Sequence, residues 1–256
     1  MPLLFRMNSS LKKLFLLSCL LPSIAFAAEK EEQTEEKVRV VPVLRTPESN
    51  NVYVKMIFPK DELAGGTWIG ASEKNTMVCL LNGGFKNHKR LSNYRHSRGV
   101  VVKDFLLSDD IFTTIQEYNL DAIEPFTVVA VDWNKDLKLY ELVWDGSQKH
   151  IQELPLTAHI WSSSTLYTDE MKQLRRNWFS DFKEHHVLDE NTMLDFHQNA
   201  GIGDANVDTL MNRGFVKTVS ITQIQKNTST LKMQYLDIAS QETSETSLLM
   251  TAIVHE

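Results

Sequence analysis

At 256 residues with 42% hydrophobic side chains, the chain is long enough to bury one substantial core, and a charged fraction of 23% is ordinary for a folded protein. A formal charge of −6 argues against a nucleic-acid-binding surface, and two cysteines are too few for a disulfide-stapled scaffold.

The first element is the pattern of an export leader. Lys12 and Lys13 precede the apolar run LFLLSCLLPSIAFA, which gives way abruptly to AEKEEQTEEK, and Ala25-Phe26-Ala27 has the small-x-small form of a cleavage site. The 14-residue run, interrupted by Pro22, is shorter than the roughly 20 residues that a spanning helix needs. A lipoprotein box ending at Cys19 is the weaker alternative, because only a few apolar residues precede that cysteine. Cleavage after Ala27 predicts a periplasmic or secreted protein. It removes Arg6, Lys12 and Lys13 and no acid, so 27 basic residues become 24 against 33 acidic ones, a charge of −9. Cys79 is then the one cysteine left, which rules out an intramolecular disulfide in the mature chain.

Residues 28–37 have no apolar period and read as a charged linker, so one domain is expected over 38–256. Within it, VRVVPV and VYVKMIF flank TPESNN, and TWIGAS and MVCLL flank EKNT, as two antiparallel hairpins would. Two short helices follow, one carrying Val101, Phe105 and Leu106 and the other opened by Asp109 or Asp110. FTVVAVDW, LKLYELVWDG, KHIQEL and HIWSSSTL return to period two as four more strands. Thr168 can cap a helix whose Met171, Leu174, Trp178, Phe179 and Phe182 recur at helical spacing, and another helix starts at Asp189. FVKTVSITQIQ and TLKMQYLDI close the chain as a strand pair. Strands and helices in blocks, without β-α-β alternation, predict an α+β fold with helices outside antiparallel sheets.

Several chemistries can be weighed from residue spacing. Gly65-Gly66-Thr67 invites a phosphate loop, but no lysine is in place and Thr67 leads into a strand, so both Gly65-Gly66 and Gly83-Gly84 read as strand entries and exits. The eight histidines include no His-Glu-x-x-His pair and no Cys-x-x-Cys, so no metal site is expected. His159 lies close to Ser162, Ser163 and Ser164, but Gly-x-Ser-x-Gly is missing, and strand alternation turns Ser163 away from its two neighbours. Polar lining of a pocket is the better reading of these serines. Arg95 and Arg98 belong to a basic island over 86–103, which is either a solvated loop or a docking point for an anionic ligand.

Taken in order, PKDELAGGTWIG, VCLLNGG, SRGVVVKDFL, EPFTVVAVDW, LYELVWDG, HIWSSSTLY, LDFH and VKTVSI resemble the NRDE family, also called the transport and Golgi organisation protein two family. The resemblance implies the four-layer αββα sandwich of the N-terminal-nucleophile hydrolases. In those enzymes a residue at the very N-terminus attacks an amide, with its own amine as the base. The chain departs from the pattern where the Asn-Arg-Asp-Glu motif should stand: QTEEKVR occupies that place, and Cys19 lies within the leader. The nucleophile and the first strand of the fold are therefore expected to be lost, with the tail TSLLMTAIVHE as one candidate to fill the strand's place. By the same resemblance Asn82 matches an asparagine that donates to an oxyanion.

Three readings follow. The first is a non-catalytic relic that binds or carries an amphipathic or anionic small molecule, haem or lipid by resemblance, with no resident cofactor. The second is a working hydrolase of carbon–nitrogen bonds, and the third an interaction module. The expected pocket draws on Gly65, Gly66, Thr67, Trp68, Asn82, Arg95, Arg98, His159, Ser162 and Ser163.

Overall fold

The computed structural model describes residues 2–7, 15–24, 38–44, 53–61 and 65–250. Chain order runs through strands β1 (Pro2–Met7), β2 (Phe15–Ile24), β3 (Val38–Leu44), β4 (Tyr53–Pro59), β5 (Ile69–Ser72) and β6 (Thr76–Asn82). Helices α1 (Arg98–Leu106) and α2 (Ile111–Glu117) come next, followed by β7 (Phe126–Asp132), β8 (Lys138–Trp144), β9 (Lys149–Leu154) and β10 (His159–Ser162). Helices α3 (Asp169–His185) and α4 (Glu190–Asn199) lead to β11 (Val216–Lys226), β12 (Thr230–Asp237) and β13 (Thr243–Leu249).

The strands form two antiparallel sheets. One has seven strands in the sequential order β3-β4-β5-β6-β7-β8-β9, and the other has six in the order β10-β1-β2-β11-β12-β13. The first is a meander in which each strand lies beside its predecessor, β5 and β6 through a short turn at Asn75, which has φ +57°, and β6 and β7 through the segment that carries α1 and α2. Three of the four strands expected after the first helices therefore extend the first sheet, and β10 alone crosses to the second.

Burial divides the molecule into four layers. Cys79, Leu81, Val129 and Val131 on one face of the meander pack against Ile221, Ile224, Leu231 and Met233 of the second sheet. The opposite face, with Val78, Leu80, Val128 and Ala130, packs under Val101, Phe105 and Leu106 of α1 and Ile111 and Ile115 of α2. Phe179 of α3 and Met193 and Phe196 of α4 form the outer helix layer on the other side, with Ile160 of β10 against them. The αββα sandwich expected from the sequence is the architecture. A meander strand such as β6, buried on both faces, reads as a continuous apolar run, whereas the half-exposed edge strand β9 is mostly polar.

The helix starts follow the capping signals. Ser97, Asp110, Thr168 and Asp189 each accept a backbone N–H from the first turn of the helix they precede, and Asp189 closes a reciprocal capping box with Thr192. On α3 the expected apolar stripe needs correction, because Arg175 is fully buried while Leu174 is 37% exposed. The Arg175 guanidinium lies 3.6 Å above the Tyr167 ring and donates to the carbonyls of Val207 and Asp208, so its charge is stacked and hydrogen-bonded rather than solvated. Burial lowers its pKa from the usual arginine value.

For the uncleaved chain, the expectation of a lost first strand also needs correction. Residues 2–7 and 15–24, read from sequence as leader, are strands β1 and β2, and β2 pairs with β11 from Phe15↔Lys226 to Ile24↔Val216. The tail does not take that place: β13 pairs with β12 at the far edge of the sheet. The physical reason lies in composition, since TSETSLL is mostly polar, as an edge strand can be, while FLLSCLLPSI has the apolar run of a strand flanked on both sides. The linker over 28–37 and the end of the tail over 251–256 lie outside the described residues.

Candidate functional site

The place where β10 meets the end of the meander is built by two glycines and two serines. Gly83 holds φ +88°, and a Cβ on Gly84 would lie 2.9 Å from the Trp144 carbonyl oxygen, so the chain leaving β6 can pass the end of β8 only as glycine. Beyond β10, the Ser163 hydroxyl donates to the Asn82 carbonyl at 2.7 Å and the Ser164 hydroxyl donates to the Gly84 carbonyl. These bonds clip the edge of the six-stranded sheet to the seven-stranded one.

The clip frames a groove of about 300 Å³ at the edge strand β10, where the space between the sheets opens towards α3. Its floor is the inner face of the meander, with Leu81, Thr127, Glu141 and Val143; Ile160, Trp161 and Ser162 of β10 form one wall, and Lys172 and Arg176 of α3 the other. Phe85, 54% exposed, stands at the boundary with an adjoining recess of about 380 Å³ that runs along residues 164–170. Phe85 packs edge-on against His150 at 4.8 Å, and His150 in turn bonds Asp145 at 2.7 Å.

The polar groups of the groove are arranged in an ordered way. Trp161 Nε1 donates to Glu141 Oε2 at 2.6 Å and Gln152 Nε2 donates to Oε1 at 2.5 Å, so both carboxylate oxygens are engaged. Lys172 Nζ donates to Ser164 Oγ at 3.2 Å and lies 3.6 Å from Asp169 Oδ1. Arg176 Nε and Nη2 share the neutral Gln173 Oε1.

Of the ten residues expected to line a pocket, Ser162 lines the groove and Ser163 holds its frame. Asn82 is exposed at the end of β6; its carbonyl takes the Ser163 bond, and the pleat that points Leu81 inwards carries its side chain to the other face. His159 Nε2 lies 2.8 Å from the Pro155 carbonyl and 3.2 Å from Thr157 Oγ1, so its contacts go to the turn before β10 rather than to a serine. Trp68 packs against the core between the sheets, and its Nε1 has no hydrogen-bond partner among the described residues.

Gly65, Gly66 and Thr67 serve the opposite layer. A Cβ on Gly66 would meet the Gly99 backbone at 2.8 Å, and Thr67 Oγ1 lies 2.7 Å from the Pro59 carbonyl, so this segment is where the β4–β5 connection crosses the start of α1. Gly65 has φ +67°, and its carbonyl accepts from Lys103. Arg95 and Arg98 are spent internally: Arg95 donates to the Asn119 carbonyl, and Arg98 donates to Pro125 at 3.1 Å and pairs with Glu124 at 3.3 Å. Burial lowers the Arg98 pKa while Glu124 opposes that shift. The basic island is therefore stapled to the loop before β7 and lies apart from the groove-lining set.

Glu141, Trp161, Lys172 and Arg176 were missed by sequence reasoning. Two signals were there: the period-two alternation that sets Ile160 and Ser162 apart from Trp161, and the i,i+4 pair Lys172 and Arg176 on one face of α3. Among the described residues no three His, Cys, Asp or Glu side chains are grouped so as to hold a metal ion.

The family profile for Transport and Golgi organisation 2 matches residues 45–248. The chain belongs to this family. No curated protein matches it. Among solved structures, penicillin V acylase from Agrobacterium tumefaciens is similar with a TM-score of 0.52 and 9% identity, over 95% of this chain and 84% of that one. A variant of conjugated bile acid hydrolase from Clostridium perfringens is similar with a TM-score of 0.53 and 8% identity, over 96% of this chain and 92% of that one. At such identity the likeness gives the fold alone, and this member of the family has the architecture of the N-terminal-nucleophile hydrolases. No described helix is long and apolar enough to cross a membrane.

Proposed function

We propose that the protein binds an amphipathic small molecule of the lipid or haem class in the groove between its sheets, as a non-catalytic descendant of a hydrolase fold. The observation that carries this reading is the groove itself, where an apolar wall of Leu81, Val143, Ile160 and Trp161 meets the polar ends of Ser162, Lys172 and Arg176. Such a mixture of apolar lining and a few placed polar groups is what small-molecule sites share. Two hydroxyls beside the groove support binding over catalysis, because Ser163 and Ser164 donate their protons to backbone carbonyls. Titration of the purified protein with haemin, followed by absorbance, and with dodecyl amphiphiles, followed by calorimetry, is expected to give saturable binding of at least one. A linear, non-saturable response to all of them would overturn the proposal.

A second reading, hydrolysis of carbon–nitrogen bonds, is favoured by the likeness to an acylase and a hydrolase across nearly the whole chain. It calls for an N-terminal nucleophile, so the sequence of the natural N-terminus bears on it directly. The proposed setting outside the cytoplasm rests on the leader pattern at residues 12–27, and an N-terminus at Ala28 would support it. That same cut would remove β1 and β2. An N-terminus at Met1 or Pro2 would contradict export.

A further inference from the structure

Lys172 lines both the groove and the adjoining recess, and its side chain is only 15% exposed. Its acidic partner among the described residues, Asp169, is 93% exposed and 3.6 Å away, a loose pair at the rim that contributes little. Arg176 stands one turn further on and is held by a neutral amide. Among the residues lining the groove the one acid is Glu141, whose two oxygens already accept from Trp161 and Gln152. Two cations against one engaged carboxylate leave this groove net positive in a chain whose formal charge is −6. A recessed cation without a matched counter-charge is a place where an anion gains most, because the charge-assisted bond forms where water is already partly excluded.

The lining also bears on the two ligand classes. Haem iron is held by histidine, cysteine, methionine or tyrosine, and none of these lines the 300 Å³ groove. A flexible chain asks for no such donor and needs only apolar surface.

We infer that the groove takes a single-tailed amphiphile with one anionic head group, the head on Lys172 and Arg176 and the tail along Ile160, Trp161 and Val143. This rests on the binding reading above and narrows it. Carboxylate and phosphate heads share the chemistry, and the experiment separates them. Calorimetric titrations below the micelle concentration compare dodecanoate, dodecyl phosphate, the uncharged dodecyl maltoside and the cation dodecyltrimethylammonium. Wild-type protein is expected to bind at least one of the two anions about ten-fold tighter than the uncharged and cationic probes. The better anion then identifies the head group. Lys172→Gln and Arg176→Gln, with circular dichroism showing an unchanged fold, are each expected to weaken that anion by about ten-fold and leave dodecyl maltoside unaffected. Equal binding of all four probes, or loss of anion and neutral probe together in both variants, would overturn the head-group assignment and leave the binding reading standing. Failure of every probe, with haemin also inert, would remove both.

Discussion

Single side chains in this protein do work that their residue type does not announce. Lys149, half-buried on β9, donates its ammonium to the carbonyls of Ile115, Gln116 and Tyr118, the unsatisfied end of α2, and burial lowers its pKa. Lys149→Met keeps the aliphatic stem and removes the cap; a loss of about 1–2 kcal/mol in urea denaturation is expected, since hydrogen bonds to charged groups carry that much. Arg175 is the larger case, and Arg175→Ala is expected to cost about 3 kcal/mol, leaving two buried carbonyls and the Tyr167 face without their partner. Asp145 gives a pH effect. Its carboxylate is held well below the usual range by His150 and then by the backbone N–H groups of Gln148 and Ser147. A depressed carboxylate contributes stability that is fully present above the unfolded value near 4 and is lost as pH falls from there through its lower folded value. Asp145→Asn is therefore expected to flatten the acid limb of a stability–pH curve below about pH 4, by at most about 1 kcal/mol because the site is exposed. An unchanged acid limb would contradict this.

The elements show why some of the site was legible and some was not. Both hairpins, three of the four caps and the Gly-Gly exits follow from local chemistry, in which Thr and Asp satisfy first-turn N–H groups and glycine permits close approach, while the Ser97 cap emerges only in the structure. The partition of strands between sheets was not legible, because it depends on which edges are free, and β10 crosses over while β7, β8 and β9 continue the meander. The site suffered for the same reason: Trp161 and Glu141 stand 20 residues apart in sequence and meet only because β10 lies across β8. Conspicuous residues such as Arg95, Arg98 and Thr67 were drawn into structural bonds that no spacing rule reveals. The clip beneath the groove offers an element-scale test. Gly84→Ala would set a methyl against the Trp144 carbonyl and is expected to cost about 1–3 kcal/mol by thermal denaturation, and to weaken ligand binding by displacing Phe85 and the Ser164 bond.

At the scale of the molecule, one set of residues has two readings. The N-terminal run has the pattern expected of a leader and the place of two inner strands, and among the described strands only β1 and β2 lie between β10 and β11. Chains covering 1–256 and 28–256, both made in the cytoplasm, separate these contributions: the shorter one is expected to unfold at lower urea and with a smaller m-value, because less surface is buried cooperatively. Coincident transitions would mean that the strands add nothing to the fold. Occupancy of the groove at β10 by a ligand is reported by a residue within it. Trp161 lies in the wall of the groove with its indole N–H on Glu141. Tryptophan fluorescence during titration with a dodecyl anion is expected to change saturably in the wild type and to lose that component in Trp161→Phe, while calorimetry still detects binding to the variant. A saturable change that survives intact in Trp161→Phe would place the ligand elsewhere and contradict the account.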